Sequence, residues 1–164
     1  GDWPGDWPAP PAVLSLRGHE LMAADVARGR AALAGREPQV VIRQGDIRRI
    51  DFGEADVVTI LDVLHYIDHA GQEEVLRRAR AALPKDGLLV TRIGDAAAGL
   101  PFRLCDWVDR AVTFARGHRL PTLWCRTLAD WVALLEATGF RVETAPMSEG
   151  TPFANVMLVA RVAP

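Results

Sequence analysis

The sequence predicts an α/β fold, a parallel-rich sheet with helices on both faces, and three observations carry that prediction. Short β-branched segments alternate with helical ones along most of the 164 residues, the pattern of strand–helix–strand units. The run from Asp56 to Leu61 reads as a strand buried on both faces of a parallel sheet. Two last strands, Arg141 to Thr144 and Asn155 to Val162, are joined by Pro146 to Phe153 and suit an antiparallel pair at a sheet edge.

Taken in order, Val13 to Leu16 reads as a short strand, Asp25 to Leu33 as a helix rich in alanine and arginine, and Val40 to Ile42 as a second strand. Asp68 is placed to cap a helix in which Val75, Leu76, Ala79, Ala82 and Leu83 recur at helical spacing, until Pro84 and Gly87 end it. Leu88 to Ile93 supplies another buried strand. From Leu100 to Trp124 the pattern loosens around Phe102, Trp107, Phe114 and Trp124, with Gly117 and Pro121 as breaks, and reads as an inserted cap at about 100–125. Those four aromatics either line a substrate pocket or are plain core. Thr127 to Asp130 resembles a capping box with Asp in place of Glu, and opens a helix whose face is Leu128, Trp131, Val132 and Leu135 and which Gly139 stops. That helix is expected on one sheet face with Trp131 and Leu135 buried.

The chain begins with a repeated Gly-Asp-Trp-Pro and has four prolines in its first eleven residues, so 1–11 form a turn-rich arm or loop and 12–164 the domain. With 49% hydrophobic and 24% charged residues the composition is that of one globular core. A net charge of -2 comes from interleaved arginines and carboxylates, leaving no basic face for a nucleic-acid backbone. Cys105 and Cys125 lack metal-ligand spacing and are expected to be buried thiols, so no metal site is expected. No apolar run reaches the roughly 20 residues that cross a bilayer, and no leader pattern opens the chain. The expectation is a cytoplasmic protein with no membrane partner and an unknown oligomeric state.

Three acidic features fall at the carboxyl ends of predicted strands, where open α/β sheets bind ligands. Glu20 follows the first strand, Gly45-Asp46-Ile47 the second, and Asp62 the third. One such carboxylate can accept both hydroxyls of a ribose and another the exocyclic amine of adenine. The alternative is that Glu20 and Asp46 merely cap or turn their loops.

In the segments Arg17 to Met22, Gln44 to Ile47, Ala55 to Tyr66 and Leu76 to Thr91 the chain resembles class I S-adenosylmethionine-dependent methyltransferases. The resemblance covers nearly everything after Pro11 and implies a Rossmann-like sheet with S-adenosylmethionine as cofactor. It implies that Glu20, with Leu21 beside it, binds the ribose. Asp46 takes the adenine amine while Ile47 packs on the ring, and Asp62 with Val63 faces the methionine moiety. Two further runs, Arg116 to Pro121 and Met147 to Val156, look like those of small methyltransferases found beside aryl-polyene biosynthetic genes. That likeness implies a small or carrier-linked hydroxylated substrate.

The family pattern is broken at its start, because no strand followed by a G-x-G-x-G turn precedes Val13 to place amides against the cofactor's carboxylate. The expectation is that the first strand and helix lie in an upstream segment. The chain alone should then bind the cofactor weakly or not at all, and the strands near Leu16 and Ile60 should not pair directly. His65 is the best-placed candidate for a general base, with Tyr66 beside it and His118 as a weaker second; the alternative for His65 is a structural histidine. No Asn-Pro-Pro-Tyr follows Leu61, so an oxygen acceptor is preferred over an amide or base nitrogen. The rival readings are a non-catalytic remnant or interaction module and a nucleotide-binding oxidoreductase, the latter disfavoured because no G-x-G-x-x-G follows a strand.

Overall fold

The structure is a computed structural model that describes residues 14–36, 39–99, 107, 122–150 and 154–164. The 1–11 arm, Val13 and most of the 100–125 insert, including Phe102, Cys105, Phe114 and His118, lie outside the described residues. Two compact units divide the chain, residues 1–51 and 52–164.

The first unit is a β-α-β module. Strand β1 (Leu16–Glu20) and strand β2 (Val40–Gln44) pair in parallel from Leu16↔Val40 to Glu20↔Gln44, with helix α1 (Ala23–Ala32) between them in sequence. The first strand was expected to end at Leu16; it begins there instead, so Glu20 is its last residue rather than a loop residue beyond it. The parallel ladder overrides the weak strand propensity of Arg17, Gly18 and His19. Helix α1 lies tight against β2, since a Cβ on Gly29 would stand 2.8 Å from Ile42 Cδ1 and Arg30 Nε donates to the Ile42 carbonyl at 2.8 Å.

The second unit holds a four-stranded mixed sheet. Its strands are β3 (Val57–Leu61), β4 (Leu88–Gly94), β5 (Phe140–Pro146) and β6 (Asn155–Val162), in the spatial order β3-β4-β6-β5. β3 and β4 are parallel, and β6 runs antiparallel to both β4 and β5, so the last two strands form the expected edge pair.

Helix α2 (His69–Ala82) starts where Asp68 accepts the Gly71 amide at 2.7 Å and stops before Pro84. Helix α3 (Leu128–Ala137) opens on a complete capping box: the Asp130 amide donates to Thr127 Oγ1 at 3.1 Å, and the Thr127 amide to Asp130 Oδ2 at 3.3 Å. It closes at Gly139, whose φ of +93° is a conformation that a side chain resists. Trp131 and Leu135 are buried as expected, at 2% and 0% exposure.

Cross-strand partners share a sheet face, and the buried ones fall together: Val58 with Leu89 and Ala160, Ile60 with Thr91 and Leu158. This face and the buried stripes of α2 and α3 form the core. The expectation that β3 is buried on both faces is corrected here, because Val57 and Leu61 are 51% and 48% exposed while Val58 and Ile60 between them are buried. Among the described residues no helix is long and apolar enough to cross a membrane.

Candidate functional site

Glu20 and Asp46 are brought side by side at the carboxyl ends of β1 and β2. The Gly45 amide donates to the Glu20 carbonyl at 3.0 Å, continuing the ladder one step past β2, and Gln44 Nε2 donates to the Leu21 carbonyl at 3.1 Å. A side chain at position 45 has no room, since its Cβ would meet Ile50 Cγ2 at 2.6 Å and His19 Cδ2 at 3.2 Å. Glycine is therefore what lets the turn after β2 lie against the end of β1.

Both carboxylates also serve their own loops, so the capping alternative is realised locally. Glu20 Oε1 accepts the Met22 amide at 2.8 Å, fixing the entry to α1. Asp46 Oδ1 accepts the Arg48 amide at 2.9 Å, and the Arg48 guanidinium grips both oxygens at 2.6 to 3.0 Å. That guanidinium is the main reason the Asp46 carboxyl lies below its ordinary value of 3.8, against a smaller upward push from burial. Asp46 is thus an ionised acceptor at neutral pH. A carboxylate has about four lone-pair sites, so the Met22 amide leaves Glu20 able to accept more, whereas the four contacts from Arg48 fill those of Asp46 and a ligand amine must displace one of them. Leu21 is exposed and Ile47 half-buried, which puts apolar surface beside both acids.

In the second unit Asp62, Val63 and His65 follow one another on the turn beyond β3. Asp62 takes a φ of +54°, a left-handed conformation that Asp tolerates better than most residues. Its carboxylate pairs with Arg92 of the neighbouring strand β4, whose Nε donates to Oδ1 at 2.8 Å. The pair raises the Arg92 guanidinium above its ordinary value. The sequence reading did not include Arg92. Its partnership depends on the register Leu61↔Arg92, which sequence periodicity does not reveal.

Val63 is 37% exposed and leads into a single 3-10 turn, Leu64–Tyr66. His65 is half-buried with Nε2 shielded from solvent, its ring tilted at 52° against Tyr66 with centroids 4.1 Å apart. Its carbonyl accepts the Trp124 amide at 2.8 Å. Of the four aromatics read as pocket lining or plain core, only Trp107 and Trp124 are described, and at 66% and 40% exposure neither is core. Cys125 is half-buried rather than buried. Among the described residues no cluster of three His, Cys, Asp or Glu side chains is arranged for a metal.

A second residue missed in the sequence is Gln72, fully buried on α2. Its signal was present: positions 72, 75, 76 and 79 lie on one helical face, and Gln72 is the polar member of that apolar stripe.

Comparison with known proteins gives the arrangement a family. Over 83 residues the chain is 32% identical to a carboxy-S-adenosyl-L-methionine synthase of Chromohalobacter salexigens, covering 49% of this chain and 31% of that protein. The structure matches mitomycin 7-O-methyltransferase with a TM-score of 0.71 at 25% identity, over 92% of this chain and 42% of that one. It also matches human N-acetylserotonin methyltransferase, solved in complex with S-adenosylmethionine, with a TM-score of 0.65 at 16% identity, over 92% and 41%. The fold is that of the Rossmann-like methyltransferases, and the chain spans between 31% and 42% of the length of these three relatives. Residues 22–141 match the O-methyltransferase domain, and the chain belongs to that family.

Proposed function

We propose that these residues form the adenosine-binding and acceptor-side part of an S-adenosylmethionine-dependent methyltransferase whose acceptor is a hydroxyl of a small or carrier-linked molecule. The observation that carries the reading is the bond from the Gly45 amide to the Glu20 carbonyl, which sets two carboxylates together at the ends of parallel strands. Glu20 accepts from the ribose hydroxyls and Asp46 from the adenine amine, with Leu21 and Ile47 as apolar flanks. The adenosine end of the cofactor fits this donor and acceptor chemistry. For the methionine carboxylate these 164 residues offer no glycine-rich turn after a strand, so in this reading that contact comes from a segment outside them.

When bound, the cofactor supplies an electrophilic methyl group on a sulfonium. The chain's own contribution is to orient the acceptor and to take its proton. In this reading Asp62 and Val63, which follow β3, face the methionine moiety. His65, on the turn that follows, takes the proton of the hydroxyl in this reading. Support for an oxygen acceptor comes from the O-methyltransferase family match and from the mitomycin 7-O-methyltransferase likeness.

The test is transfer of a labelled methyl group from S-adenosylmethionine to a panel of phenols and hydroxy acids, free and carrier-linked, by the protein at its natural length and by its His65→Ala variant. The reading expects O-methylated product, and a loss on the order of 10²- to 10⁴-fold in the variant. Labelled product on nitrogen or carbon alone, or full activity without the imidazole, would overturn it.

A further inference from the structure

We infer that Gln72 is a positioning residue for His65, an inference that rests on the methyltransferase reading for its consequence but not for its test. Gln72 lies in the first turn of α2 and is 0% exposed. Its carboxamide is surrounded by partners from three places. The two N–H groups of Nε2 are divided among three carbonyls, those of Leu64 and Ile67 at 3.1 Å each and that of Trp124 at 2.7 Å, while Oε1 accepts Arg126 Nε at 2.7 Å.

The first two acceptors bracket His65 and Tyr66, so Gln72 grips the 3-10 turn on either side of the imidazole. The third belongs to the residue whose own amide donates to the His65 carbonyl at 2.8 Å. Trp124 is therefore held at both of its backbone polar groups, by His65 through its N–H and by Gln72 through its C=O. Arg126 closes the arrangement from outside: besides Gln72 it reaches Glu73 at 3.0 Å and lies 5.8 Å from the centre of the Trp131 ring.

Burial of apolar surface explains Val75, Leu76 and Ala79 on this stripe, but it does not explain a carboxamide among them. A residue serving packing alone would be better as leucine or methionine, since a buried amide is tolerated only when its groups are bonded. What the amide adds is direction. It fixes the His65 turn relative to residues 122–127, and so fixes where the imidazole stands when a hydroxyl approaches. In a reaction limited by alignment, a misplacement of about 1 Å costs on the order of 100-fold.

The test uses the protein at its natural length with Gln72→Met, which keeps the length of the side chain and removes the donors, and Gln72→Glu, which keeps acceptors for Arg126 and also lacks the donors. In both, the 15N signals of the His65 ring should shift and the Trp124 amide should exchange ~tenfold faster, while exchange at Leu89 and Leu158 in the central strands stays as in wild type. Under methyl-transfer conditions kcat should fall ~tenfold or more with the KM for S-adenosylmethionine unchanged. Unmoved ring signals in a folded variant, or an unchanged kcat where the wild type is active, would overturn the inference. Should Gln72→Met lose protection at Leu89 and Leu158, Arg126→Met replaces it, because it removes the Oε1 partner from outside the core. The same shift of the His65 signals is then required, and its absence overturns the inference. Ring signals that move in a protein with no methyl transfer, wild type included, would leave the positioning role intact and sink the methyltransferase reading instead.

Discussion

The amide of Gly45 donates to the carbonyl of Glu20 at 3.0 Å, so the end of β1 and the turn after β2 form one stretch of bonded backbone. Two acids 26 positions apart in sequence become neighbours through that bond, with no contact between their side chains required. Gly45→Ala tests its importance. The added Cβ would meet Ile50 Cγ2 at 2.6 Å, so either Ile50 or the turn must move. A loss of about 1 to 3 kcal/mol is expected in chemical denaturation of the first unit, together with shifted amide signals at Glu20 and Asp46.

The capping box at α3 gives a prediction about acid. Thr127→Ala should cost about 1 kcal/mol of stability at neutral pH, read from the denaturation midpoint. The Thr127 hydroxyl is the first cause of the lowered Asp130 carboxyl, which sits below its ordinary 3.8. A depressed folded value means that the contribution is whole above the ordinary value and is lost as pH falls through the lower, folded one. The difference between wild type and Thr127→Ala should therefore shrink below about pH 4. A difference that grows in acid would contradict the assignment.

Asp62 stands at a positive φ and pairs with Arg92. Asp62→Asn and Asp62→Val both remove the ion pair, which at this exposure is worth about 0 to 1 kcal/mol. Only the valine must also adopt a left-handed backbone that β-branching opposes, so it should be the less stable of the two by about 1 kcal/mol or more. Equal thermal midpoints would mean that the turn after β3 relaxes freely.

How legible these features were in the sequence followed their range. The Thr127–Asp130 box, the Asp68 cap, and the stops at Pro84 and Gly139 are local, and each was read where it stands. Strand β1 starts three residues and ends four residues later than expected because its identity comes from pairing with β2, not from Arg17, Gly18 and His19 themselves. Placing Glu20 and Asp46 at strand ends needed only strand order. Their bonds to Met22 and Arg48, the Asp62–Arg92 pair and the Gln72 contacts needed geometry that spacing does not encode. Gln72 was the exception in leaving a trace, as a polar residue on an apolar stripe.

The 164 residues by themselves should bind S-adenosylmethionine weakly or not at all, since they offer acceptors for its adenosine but their sequence carries no glycine-rich turn after a strand to hold its carboxylate. Calorimetry on this chain checks that. Low-micromolar binding would mean that some other segment does the work of the glycine-rich turn.

The most direct test of the account is a calorimetric titration of the protein at its natural length with S-adenosylmethionine, comparing wild type with Glu20→Ala and Asp46→Ala. Each substitution removes charge-assisted or amine-directed bonds worth roughly 1 to 3 kcal/mol, so each should weaken binding about 5- to 150-fold while the melting transition stays cooperative. Unchanged affinity in both variants would contradict the assignment of Glu20 to the ribose and Asp46 to the adenine.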